Sequence, residues 1–296
     1  MSTLTIENAK KMADLTALQA VADSDMLFIH DGNGLKKVSA GLLKQDLKTL
    51  IESHKTLLDK VSASGAGAHN SVYRGANLGT AVTAAQWAAI QAGTFDDMYI
   101  GDYWVIGGVT YRIAAFDYYL RGGDTDLNTH HVTLVPDGQM YTHVMNDTNV
   151  TTGGYVGSKM YTEGLTQAKT TINSAFGSAH VLNHRKYLCN AVTNGKPSGG
   201  SWYDSTVELM TEQNVYGGKI FGAGNDGSTV PSLYTTDKSQ FPLFSFRPDL
   251  ISNRTTFWLR DVVSAAYFAY VTHGGNASYD GASNAYGVRP AFSIKS

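Results

Sequence analysis

Between residues 43 and 61 apolar side chains recur at alternating spacings of three and four. Leu43, Leu47, Leu50, Leu57 and Val61 carry the pattern, and His54 fills the remaining seam position. This heptad period predicts a helix over residues 41–62. Ile51 and Leu58 fall beside the seam, so the stripe is wider than two packed helices would bury. Three helices bury a broader stripe, which makes a homotrimeric coiled coil the expectation. Its trimerisation residues are Leu43, Leu47, Leu50, His54, Leu57 and Val61. The competing reading is an amphipathic helix laid on its own globular domain. His54 would bring three imidazoles to a trimer axis, where they could hold a metal or an anion. The simpler reading is a tolerated polar core residue, and no metal is expected.

The flanking segments have other periods. Met26–His30 (MLFIH) is an apolar run, and residues 35–38 form a second one beyond Asp31-Gly-Asn-Gly34. Strand, turn and strand follow from that order, with Ser39 placed to cap the helix. Residues 1–40 thus read as a small ββ cap with too little core to stand alone. After the heptads the chain turns to small residues (SASGAGA, 62–68), and residues 63–70 read as a flexible linker. Residues 71–296 then read as a glycine- and aromatic-rich α+β head. Alternation and turn residues predict a hairpin in residues 103–114 around Gly107-Gly108, a strand over 131–135 and a closing strand over 288–294. Helices are expected over 81–91, over 156–176 and around 207–213, with loops and short strands after Gly217.

Composition narrows the function classes. Hydrophobic residues make up 43% of the 296, enough for a substantial core, while charged residues make up only 16%, against about 25% in soluble domains. The surface must draw its polarity from Asn, Ser, Thr, Gly and Tyr. A net charge of −2 supplies no phosphate-neutralising field, so nucleic acid is not an expected partner. Cys189 is the one cysteine, which excludes an intrachain disulfide framework and fits assembly in a reducing cytoplasm. No apolar run is long enough to insert in a membrane, and the N-terminus lacks the order of a secretion signal.

Candidate chemistry is sparse. Gly222 to Gly227 matches G-x-G-x-x-G, but Pro231 follows where a phosphate-binding helix should begin. Asp124, Asp126 and Asn128 alternate like calcium ligands, yet Thr129 and Val135 stand where an EF-hand needs Gly and Glu. A solvated acidic turn is the reading, with a looser calcium loop left open. His180 and His184 have the spacing of a zinc pair without a base or a third ligand nearby. Glu208 and Glu212 are expected on one solvated helix face, which is not the cleft that glycoside hydrolysis needs. Cys189 sits in an apolar setting without an activating partner. No catalytic residue, metal or cofactor is expected.

The C-terminal segment differs. Phe257-Trp-Leu-Arg260 opens it and Tyr286-Gly-Val-Arg-Pro-Ala-Phe292 closes it. The residues between are rich in Tyr, Asn, Ser and Gly, the composition of a recognition loop. Its candidate receptor-binding residues are Tyr267, Tyr270, His273, Asn276, Tyr279, Asp280, Asn284 and Tyr286. Trp258, Leu259, Val288, Ala291 and Phe292 are expected as buried strands that hold it, and Phe268 could face either way.

At these residues the chain resembles a known group. WLR followed by GVRPAF is similar to a C-terminal domain of bacterial surface proteins and of tail proteins of phages infecting gut Firmicutes. The stretches YIGDYWVIGGVTYRIAAFDYY, THHVTLVPD and STVELMTEQNVYGG look like the same phage group. LTALQAVADSDMLFIHDGNGLKKVS resembles the caps that begin many phage fibre proteins. The closing strands also look like those of C-type-lectin-like folds, although the EPN, QPD and WND calcium signatures are absent. The resemblance implies a virion fibre protein, not an enzyme. It would be assembled in the host cytoplasm, docked to other virion proteins by its N-terminus, and would bind a bacterial surface polysaccharide or protein through its head. A head-decorating or baseplate protein without a receptor, and a cell-wall depolymerase, are the alternatives.

Overall fold

The computed structural model describes residues 22, 24, 26–30, 34–61, 65–222, 237 and 239–296, with the backbone alone at 27–30, 35–36 and 54–61. The fold is mixed α+β, with 24% helix and 32% strand. Packing divides the chain into two compact units, Met1–Ala63 and Ser64–Ser296.

In the first unit, strand β1 (Met26–His30) pairs antiparallel with β2 (Leu35–Ser39), Met26 opposite Ser39 and His30 opposite Leu35. Helix α1 (Ala40–Val61) follows at once. Ser39 Oγ accepts a 3.2 Å hydrogen bond from Leu42 N–H, occupying one donor that the helix itself leaves free. Leu47, Leu50 and Ile51 are 52–60% exposed along the heptad stripe, whereas Leu43 is half-buried. The side chains of His54, Leu57 and Val61 lie outside the described residues, as do residues 1–21 and the turn at 31–33.

The second unit starts earlier than the small-residue run suggests. Ala66–His69 form a helical turn, α2. His69 is 5% exposed, its ring stacked on Tyr99 at 5.0 Å and edge-on to Phe116 at 5.5 Å. Asn70 bonds the Phe116 backbone twice, as donor and as acceptor, both at 2.8 Å. The expected linker over 63–70 is therefore corrected: residues 66–70 are anchored in the head by one buried ring and one side-chain amide. Residues 62–64 lie outside the described residues.

Two five-stranded sheets build this unit. The first joins β3 (Tyr103–Ile106), β4 (Val109–Phe116), β5 (Val132–Pro136), β14 (Pro290–Ile294) and β9 (Val207–Leu209) in that spatial order. The second runs β12 (Ala277–Gly281), β11 (Tyr267–Val271), β10 (Phe257–Val262), β13 (Ala285–Val288), β6 (Tyr141–Val144). A separate ribbon pairs β7 (His184–Thr193) with β8 (Lys196–Ser205). The β3–β4 hairpin turns on Gly107 and Gly108, with φ of 59° and 81°. Both values lie in the left-handed region that a tight two-residue turn requires. Helix α3 (Ala84–Ala92) starts in a capping box, Thr83 Oγ1 accepting from Gln86 N–H and Gln86 Oε1 from Thr83 N–H.

The predicted helix over 156–176 is broken. A π-helical turn (Met160–Gly164) precedes α4 (Thr166–Phe176). Tyr141 supplies the reason. Its hydroxyl donates to Gly164 O at 2.6 Å and accepts from Ala168 N–H at 3.1 Å, taking the place of the direct bond between them. The helix expected around 207–213 is also corrected. Residues 207–209 are strand β9, and helix α5 runs from Glu212 to Tyr216 behind a Thr211 cap.

The sheets meet where GVRPAF crosses from β13 to β14. Arg289 marks the corner at 1% exposure, its guanidinium over Phe244 (5.5 Å) and Phe257 (5.1 Å). It donates to Pro136 O at 2.9 Å and Leu250 O at 3.0 Å, and burial lowers its pKa to about 10. Gly287 is required here by close approach. A Cβ on it would lie 2.8 Å from Thr256 O and 2.1 Å from Gln139 Oε1. The larger apolar core draws on both sheets and on α3 and α4 and includes Ile90, Trp104, Tyr111, Phe176, Phe257 and Phe292, while a smaller one gathers Tyr155, Met160, Leu188, Trp258 and Phe268. Phe268 thus faces inward, with no exposed surface.

Candidate functional site

The residues expected in one recognition loop form β11, β12 and β13 with their turns, so the loop is corrected to sheet. Pairing sets which way each side chain points. Tyr267 lies opposite Gly281 and Ala269 opposite Tyr279, so Tyr267 and Tyr279 share one face. Tyr270, Asp280 and Tyr286 take the other. The eight candidate residues are therefore not one patch.

On the first face Tyr267 is 39% exposed and Tyr279 44%, with ring centroids 5.6 Å apart. Phe221, from outside the sheet, meets Tyr279 edge-on at 5.1 Å and is 38% exposed. These three rings form a continuous aromatic strip. On the second face Trp258, Tyr286 and Tyr270 contact one another at 4.8–6.0 Å, Trp258 fully buried in the smaller core and the two half-buried tyrosines packed against it. The Tyr286 hydroxyl donates to Asp280 Oδ2 at 2.5 Å, and burial together with that carboxylate raises its pKa. His273 and Asn276 are exposed in the β11–β12 turn and Asn284 in the β12–β13 turn. The first turn is fixed by Thr272 N–H to Asn276 O at 2.8 Å and by the Tyr216 hydroxyl to Gly275 O at 3.0 Å.

Phe221 was missed by sequence reasoning, and a buried glutamate explains its position. Glu212 has no exposed surface, and its carboxylate accepts N–H bonds from Ile220, Phe221 and Gly222 at 2.8–3.1 Å. Asp261 Oδ2 in turn accepts Glu212 N–H at 2.8 Å. A buried carboxylate must be satisfied, and here backbone donors do so by folding residues 220–222 around it. The only sequence signal was an Ile-Phe pair in a polar, glycine-rich stretch. Glu208 and Glu212 do not share a helix face. Glu208 is on β9, buried, and accepts the Tyr155 hydroxyl at 2.8 Å and the Ser205 hydroxyl at 2.7 Å.

The densest titratable cluster is internal. Asp237 accepts from Arg260 Nη2 at 2.6 Å, from Tyr119 OH and Asn214 Nδ2 at 3.1 Å each, and stands 3.8 Å from Lys186 Nζ. Burial would raise the Asp237 pKa, but the Lys186 and Arg260 charges overcome it and hold the carboxyl below the usual range. Burial lowers the Lys186 pKa against the pull of Asp237. The arginine of WLR is thus a buried ion-pair partner. The space bounded by Tyr155, Leu188, Cys189 and Arg260 is too small for a water molecule. Among the described residues this arrangement ties β7 to β10 through Asp237.

The remaining candidates separate. His180 stacks on Trp87 at 4.1 Å and faces Lys295 O, whereas His184 is buried against Tyr119 at 4.3 Å. Asp124 pairs with Arg185 at 2.8 Å, which lowers its pKa. Among the described residues no group of three or more His, Cys, Asp or Glu is placed to hold a metal ion, and no helix is long and apolar enough to cross a membrane. The glycine motif lies outside the described residues beyond Gly222. An open depression of about 750 Å³ beside α3 is floored by Ala85, Ala88, Ala89 and Ala92, with Asp96 and Asp97 at its rim. Comparison of the chain with protein-family models, curated proteins and solved structures finds no match.

Proposed function

We propose that the chain is a structural fibre protein of a bacteriophage virion that binds the host cell surface non-covalently through its second unit. The observation that carries this reading is the exposed aromatic strip of Tyr267, Tyr279 and Phe221 on a hydrogen-bonded sheet. Rigid aromatic surface of this kind supplies contact area at small entropic cost. The apolar stripe of α1, open to solvent at Leu47, Leu50 and Ile51, supports homotrimerisation through residues 41–62, and three copies would turn weak sites into avidity. Residues 1–40 dock on other virion proteins in this proposal. A C-type-lectin-like arrangement of the closing strands belongs to it as well, supported by WLR on β10 lying beside β13 inside one sheet while GVRPAF runs on into β14 inside the other. No catalysis is proposed; the Asp237, Lys186 and Arg260 side chains form one buried ion-paired cluster.

The test uses the full chain. Fluorescently labelled protein is mixed with a panel of gut Firmicutes, and an antibody to it is imaged on phage particles. Saturable binding to some strains, with label on the tail, is expected. Label on the capsid with no strain bound would favour a head-decorating role. Release of soluble wall fragments would favour a depolymerase.

A further inference from the structure

We infer that the aromatic strip is a saccharide platform, taking an uncharged run of pyranose rings from a wall polysaccharide. The inference rests on the host-binding reading above and names its ligand class. Among the described residues, the large apolar side chains exposed in the second unit are Val150, Ile220, Phe221, Phe246, Tyr267 and Tyr279. Three of these six touch ring to ring, and Ile220 adjoins Phe221 in the chain. Exposed apolar surface concentrated in this way marks a contact site.

The chemistry of the strip selects its occupant. Tyr267, Tyr279 and Phe221 carry no formal charge. The nearest acid in sequence, Asp280, points to the opposite face, where the Tyr286 hydroxyl occupies it. The nearest base in sequence, Lys219, is exposed two residues before Phe221 and is already engaged within the chain, so the three ring side chains leave an ionic ligand no counter-charge of their own. A pyranose ring presents C–H groups on its faces and hydroxyls around its rim, so it stacks on an aromatic face while its rim stays hydrated. Planes tilted by 37° between Tyr267 and Tyr279, and by 63° between Tyr279 and Phe221, step the strip. That suits successive, mutually rotated sugar rings better than a flat stack of bases. Preorganisation is built in. Tyr267 and Tyr279 stand on paired strands, and the buried Glu212 carboxylate holds Phe221 by its own N–H and those of its two neighbours. A polar side chain borders the strip: a Cβ on Gly281, the residue opposite Tyr267, would run into Asn149 Oδ1, which accepts the Ser283 N–H (3.0 Å) and hydroxyl (2.8 Å).

The experiment has a cellular arm and a cell-free arm. Full-length protein is titrated against Gram-positive cells, protease-stripped walls of those cells, and stripped walls whose vicinal diols have been cleaved by periodate. In parallel it is titrated by calorimetry against soluble neutral polymers of glucose, galactose, rhamnose and N-acetylglucosamine. Binding that survives protease, is lost to periodate and recurs on one polymer is expected. Tyr279→Ala should weaken it by about tenfold or more, and Phe221→Leu should do so by a smaller factor. Tyr279→Phe keeps the ring and should stay near wild type. Phe246→Ala, an exposed aromatic outside the strip, should leave binding unchanged and controls for folding. Protease-sensitive cell binding would overturn the saccharide inference and leave the host-binding reading standing. Polymer binding lost in Tyr279→Ala, with no cell bound, would do the reverse. Binding to neither walls nor polymers overturns the inference, as does polymer binding indifferent to Tyr279→Ala.

Discussion

His184 is a buried histidine, 6% exposed, with Tyr119 against its ring. Burial depresses its pKa well below the ordinary 6.5, helped by the Lys186 charge and by His131, against the weaker pull of Asp237 and the Leu182 backbone. His131 is depressed as well, again chiefly by burial. The sign follows from linkage. Below pH 6.5 the unfolded chain takes up protons that the folded chain refuses, so stability falls as pH falls. Each histidine costs up to about 1.4 kcal/mol per pH unit in that window. Asp237 acts in another window. Its contribution is fully present above the unfolded carboxyl value and fades only below about pH 4. Urea unfolding midpoints should therefore drop between pH 7 and pH 5. His184→Phe, which keeps a ring against Tyr119, should make that slope shallower. An unchanged slope would assign the loss to other groups.

At the scale of elements, one buried side chain often decides a boundary. Glu212 shapes residues 220–222 as the Tyr141 hydroxyl breaks the helix between Gly164 and Ala168. Glu212→Ala should leave three N–H groups without their acceptor and cost about 1–3 kcal/mol. Amide exchange at residues 220–222 should rise most, and Glu212→Gln, which keeps an acceptor oxygen, should recover part of the loss. Uniform exchange across the unit would deny the link. Such contacts also explain what was legible in the sequence. β1, β2, β4 and β5 were readable because their apolar runs or alternation are intrinsic to each segment. The β7–β8 ribbon escaped, since Gly199, Gly200 and Pro197 make β8 strand-like only when β7 pairs with it. β12 carries recognition-loop composition as an edge strand with Tyr279 exposed. The candidate site was half legible. Tyr267 and Tyr279 were named, but only register could part them from Tyr270 and Tyr286, and Phe221 needed the Glu212 contact.

At the scale of the whole molecule, the described residues of the first unit leave an apolar surface open. α1 is 22 residues long, and in the single chain Leu47, Leu50 and Ile51 keep over half of their surface open. A helix of this length is marginal in water without tertiary support. Burying a Leu or Ile side chain contributes about 1.5–3 kcal/mol, so three such residues in each of three copies favour association of the helices. The stripe spans Leu47, Leu50 and the flanking Ile51, wider than a two-helix seam covers, which favours three strands over two. Sedimentation equilibrium of the full chain should therefore give about three times the 31.9 kDa chain mass. Leu47→Glu/Leu50→Glu puts charges into the seam and should yield monomers. The second unit's near-ultraviolet dichroism should persist in those monomers, because its cores lie within Ser64–Ser296. Apparent affinity for a multivalent surface should fall far more than affinity for a short soluble ligand, since avidity is lost while each site is kept. A wild-type monomer would return α1 to the competing reading of a helix packed on its own chain. A wild-type dimer would keep the seam and reject the three-stranded count.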